Sequence, residues 1–75
     1  MFMIFKSIVP KNRFWDLYNS KEVTLHFFKN VKNKIDLDEE ISEIENNWFY
    51  NVFKETENGM KFICSNWSPD DNPQK

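Results

Sequence analysis

Cys64 and His26 are the only cysteine and the only histidine in the chain, and they bound the covalent chemistry it could do. A thiolate nucleophile needs a base within hydrogen-bond reach and a third group to orient that base. Cys64 lies in the apolar run Phe62-Ile63-Cys64, where a buried, inert thiol is the usual state. One Cys and one His cannot complete a tetrahedral zinc site, and no residues have the spacing of one. A lone Cys also forms no internal disulfide, which points to a reducing compartment: the cytoplasm, bacterial or of an infected host cell. Gly59 is the only glycine, so there is no glycine-rich phosphate loop. No catalytic, cofactor-binding or metal-binding residue is assigned, and the reading is of a protein that is not an enzyme and needs no cofactor.

The charged residues offer a different chemistry, that of recognition. Residues 1–34 carry seven Lys or Arg against Asp16 and Glu22, whereas 35–45 carry six acids and no base. A compact row such as Glu39, Glu40 and Glu43 can imitate a nucleic-acid backbone and occupy a basic cleft on another protein. The commoner role of such a run is a solvated helix face. Lys29, Lys32 and Lys34 form a modest basic strip that could follow phosphates, with nearby aromatic rings as stacking platforms. An isoelectric point near 5.3 and a net charge of −2 weigh against that use.

These side chains must be held by a small scaffold. A chain of 75 residues is one domain, and domains of this size bury only about 60% of the surface their unfolded chain exposes. With neither disulfide nor metal, the core has to come from aromatic rings, which make up 17% of the residues. Ala is absent, and Asn, Lys, Ile and Phe are abundant. That usage resembles the product of an AT-rich gene, as in low-GC bacteria, their phages and their plasmids. The apolar start, Met1 to Phe5, is interrupted by Lys6 and is too short for a signal peptide or a membrane span.

The expected fold is α+β, with one domain over 1–67 and a polar, disordered tail over 68–75. Phe2 to Val9 reads as a strand that ends at Pro10. Residues 12–19 suit a helical turn, with a strand as the alternative. Across 21–35, Val23, Phe27, Val31 and Ile35 recur every four residues and predict a helix, although the β-branched and aromatic content of 22–28 also suits a strand. Asp36 to Asn47 predicts a short helix capped by Asp36, with Leu37, Ile41 and Ile44 on one face.

The firmest element is a β-hairpin of about 48–55 and 60–67, turned by Asn58-Gly59. Glu55 then faces Met60, and Phe53 pairs with Phe62, Asn51 with Cys64 and Phe49 with Asn66. On the other face lie the pairs Val52 with Ile63, Tyr50 with Ser65 and Trp48 with Trp67. A bulge would shift these pairs by one residue. Both faces are apolar, so helices must cover both or one is left for a partner. If helices cover the Phe49, Phe53 and Phe62 face, then Trp48, Tyr50 and Trp67 form an exposed cluster of the interface type. The functional expectation is a non-catalytic protein-binding module, an inhibitor, antagonist or immunity-type protein from a phage or mobile element. Its partner would be another protein, through Trp48, Tyr50, Trp67, Glu39, Glu40 and Glu43. The alternatives are a small nucleic-acid-binding protein, and a structural subunit or homodimer; no membrane role is expected.

Overall fold

In the computed structural model, which describes residues 1–74, the N-terminal strand β1 (Phe2–Ser7) runs through the middle of a four-stranded sheet. The order is β2-β1-β3-β4 and every neighbouring pair is antiparallel, with β2 at Leu25–Val31, β3 at Tyr50–Thr56 and β4 at Gly59–Ser65. Helix α1 (Lys11–Asn19) joins β1 to β2, and helix α2 (Lys34–Ile44) joins β2 to β3. The fold is therefore α+β with a C-terminal hairpin, β3–β4.

One face of the sheet packs on α2. Ile4, Val31, Tyr50 and Val52 from the strands meet Leu37 and Ile44 from the helix, all buried, with Phe2, Phe28, Ile41, Trp48 and Cys64 around them. The period-2 alternation of β1 and β3 explains the selection: Ile4 lies opposite Val52, and both point to α2. The helix begins one turn earlier than the sequence suggests. Asn33, not Asp36, is the cap: its Oδ1 accepts the Asp36 backbone N–H at 2.9 Å. Asp36 then occupies the first turn, where the helix dipole favours a carboxylate.

The helix expected across 21–35 does not form. The chain there turns through Lys21 at φ 62°, runs as β2, and only then enters α2. The four-residue recurrence was accidental: Val31 is buried, while Val23 and Ile35 are among the most exposed apolar residues. Pairing with β1 supplies the backbone partners that decide between the two readings. The segment over 12–19 is helical.

Both edge strands are interrupted by a bulge. In β2 the register moves from Ile4–Lys29 to Phe5–Phe27, leaving Phe28 as the extra residue. In β4 it moves from Val52–Cys64 to Phe53–Phe62, leaving Ile63 extra. The expected pairs of Glu55 with Met60 and Phe53 with Phe62 are present, and beyond the bulge Asn51 meets Ser65 rather than Cys64. Gly59 closes the turn at φ 113°, a backbone state cheap only for glycine. From Ser68 onward, where a disordered tail was expected, Pro69–Asp71 form a 3-10 turn capped by Ser68. Asn72 then exchanges side-chain hydrogen bonds with Asn19 on α1. Lys75, the last residue of that tail, lies outside the described residues.

Candidate functional site

The second face of the sheet has no helix over most of its length. β-strand alternation places Met3 and Phe5 of β1, Asn51, Phe53 and Glu55 of β3 there, opposite to Ile4 and Val52. The bulges bring Phe27 of β2 and both Met60 and Phe62 of β4 to the same side. Four rings then cross the whole sheet as a ladder. Phe27 meets Phe5 with centroids 5.8 Å apart, Phe5 meets Phe53 at 5.6 Å, and Phe53 meets Phe62 at 5.7 Å. All three contacts are edge-to-face, the arrangement favoured by the ring quadrupoles. The outer rings are open to solvent, Phe27 at 48% and Phe62 at 53%, as is Met60 at 55%.

One end of this face is closed by α1. Phe14, fully buried, sits among Trp15, Tyr18, Phe49 and Trp67 at centroid distances of 4.8 to 6.0 Å. The Trp67 indole N–H donates to Asn51 Oδ1 at 2.8 Å, which ties this aromatic cluster to the sheet. The molecule is only 18 Å thick in its shortest direction.

The aromatic residues singled out in the sequence are not on this open surface. Tyr50 lies in the core beneath α2. Trp48 packs beside that core with the Lys6 ammonium 4.3 Å from its ring centroid. Trp67 belongs to the α1 cluster on the other side. The exposed cluster proposed for Trp48, Tyr50 and Trp67 is therefore replaced by one on the opposite face, because α2 covers the Tyr50–Val52 face and leaves the Phe53–Phe62 face without a helix.

The acidic row is split as well. Glu40 turns toward the sheet and accepts from Lys29 Nζ at 2.9 Å, while Glu39 and Glu43 face solvent. The basic strip loses two of its three members to this pairing, since Lys34 bonds Asp38 at 2.7 Å. Among strand positions on the open face there is no Lys or Arg, and Glu55 is the only charge.

His26 on β2 and Cys64 on β4 occupy opposite edges of the sheet, about 14 Å apart at the usual strand spacing. The fold does not bring this pair together. Burial pushes the Cys64 thiol above its ordinary value of 9.0, which disfavours the nucleophilic thiolate. Burial likewise raises the Tyr50 phenol, with Cys64 and Glu45 adding repulsion. A surface depression of about 580 Å³ is lined by Pro10, Lys11, Asn12, Asn46, Asn47 and Trp48. It offers amides and one ammonium but no acid, His or Cys. Among the described residues there is no cluster of three or more metal-ligating side chains, and no helix is long and apolar enough to cross a membrane.

No protein family, curated relative or solved structure matches the chain.

Proposed function

We propose that the chain is a non-catalytic protein-binding module whose contact surface is the phenylalanine face. One observation carries this reading: the ladder Phe27–Phe5–Phe53–Phe62 spans all four strands and ends in two rings about half exposed. An antiparallel sheet with one solvated face ordinarily presents polar residues there, and contiguous apolar patches mark interaction sites. Antagonism, inhibition or immunity, as a phage or mobile element would encode, is the form of action that fits a small chain working by occupying another protein. The exposed Glu39 and Glu43 on α2 supply a second surface for it.

The nucleic-acid reading has less support, because bases stacking on this face would find no Lys or Arg on its strands, and cations only at its α1 end. Capture from source-cell lysate on the immobilised full chain tests the proposal. Wild type is compared with a Phe27→Lys/Phe62→Lys variant and a Glu39→Lys/Glu43→Lys variant. Proteins retained by wild type are expected to be lost from the first. If the Phe variant recovers the same proteins as wild type, the face is not the binding surface.

A further inference from the structure

We infer that in the free protein the phenylalanine face is closed by a second copy of this chain, packed sheet on sheet about a two-fold axis, which a partner protein must displace to bind there. The inference rests on the reading of this face as a protein-contact surface and names its occupant. A sheet surface whose strands carry no cation and one carboxylate is matched by another that is apolar and nearly uncharged. The chain itself presents such a surface, and a two-fold pair uses the same patch twice. A face-to-face pair is the aligned sheet packing found in β-sandwiches, with inner side chains interleaved across about 10 Å.

Shape sets the sense of the pairing. α1 closes the end of the face near Asn51 and Trp67, while Glu55 lies toward the open, hairpin-turn end. Two copies avoid collision when their closed ends are set apart, which places the two Glu55 carboxylates at opposite ends of the interface. Each then lies toward the α1 helix of the partner copy, whose charged residues are Lys11, Arg13 and Asp16. Like charges are separated and the helix facing each carboxylate carries a net positive charge.

The area is sufficient. Half-exposed Phe27 and Phe62, exposed Met60 and the partly covered Met3, Phe5 and Phe53 offer about 500 Å² per copy at the usual size of such side chains. A pair buries about 1,000 Å², the threshold for a specific interface. The chain also needs it: the buried apolar side chains among the described residues are Phe14 and the six of the α2 face, a thin core of the kind that oligomerisation commonly supplements. Both α2 helices would lie on the outside of the pair, leaving Glu39 and Glu43 free.

Sedimentation equilibrium over a concentration series tests the inference. Wild type is expected to approach twice the 9.2 kDa chain mass. Phe27→Lys, Phe62→Lys and, as a more conservative probe of an exposed position, Met60→Glu should each raise the dissociation constant at least about tenfold. Far-UV circular dichroism and tryptophan fluorescence confirm that each variant is folded. A single-chain mass for wild type at every concentration overturns the pair. So does a dimer that Phe62→Lys breaks and Phe27→Lys spares, because contact would then lie at the β4 edge rather than across the face. The lysate capture separates the two claims. A monomer whose captured proteins still depend on Phe27 and Phe62 overturns the second copy alone, and a monomer whose captured proteins depend on neither overturns both.

Discussion

Ser7 is the one buried polar residue among those described, and its surroundings give the hydroxyl a structural task. Its backbone N–H donates to the Phe49 carbonyl at 2.8 Å, and its Oγ accepts the Phe49 N–H at 3.1 Å. The pair extends the β1–β3 ladder one step past Lys6–Tyr50 and fixes Phe49 against Phe14. Ser7→Ala keeps the packing but leaves the Phe49 N–H without a partner. The expected loss is about 1–2 kcal/mol, seen as a lower urea midpoint with an unchanged slope. The buried thiol and phenol make a second prediction at this scale. Both Cys64 and Tyr50 titrate higher in the folded chain than in the unfolded one, so the folded state binds more protons once the unfolded groups begin to ionise. Their contribution is intact below the unfolded values and is lost as pH rises past about 9. Urea midpoints should fall through that alkaline range, and Cys64→Ser should remove part of the fall. None of this was legible in the sequence, where Ser7 is one serine among several and its partner lies 42 positions away.

At the scale of elements, local chemistry was readable and long-range pairing was not. The hairpin could be read because Asn58-Gly59 sits between two strand-forming runs, and Gly59 does take the positive φ that its uniqueness implied. Its pairs next to the turn were correct for the same reason. Those beyond Phe53 slipped by one, since nothing local marks Ile63 as a bulge. The segment 21–35 failed because adjacent Phe27 and Phe28 mimic a helical stripe, whereas the bulge at Phe28 sends one ring to each face of the sheet. The end of α1 shows a signal that is present but disguised. Glu22 N–H bonds the Leu17 carbonyl and Lys21 N–H bonds that of Tyr18, the double closure of a helix whose next residue is left-handed. Lysine occupies a position where glycine is usual. Lys21→Gly should therefore stabilise the fold by about 0.5–1 kcal/mol, measurable as a higher urea midpoint. Lys21→Val should do the opposite.

At the scale of the molecule, the alternation of residues foretold a hairpin apolar on both faces, but only the packed chain shows which side α2 takes. That choice is made by Ile4, Val52 and Tyr50 meeting Leu37 and Ile44, residues drawn from three separate elements. A pair of chains held through the other side binds the folded state alone, so its stability is tied to concentration. The thermal midpoint of wild type should rise as protein concentration is raised, and that of Phe27→Lys should stay flat.

The two bulges bear on what happens after such a pair has formed. Phe28 in β2 and Ile63 in β4 interrupt the outer strands in mid-course, so neither free edge offers an unbroken row of amides to a third chain. A small sheet rich in phenylalanine would otherwise be a template for growth along its hydrogen-bonding direction, one molecule after another, into ribbons. With both ends of that direction kinked, growth into a fibre is disfavoured, and the proposed closed pair is the natural limit of assembly.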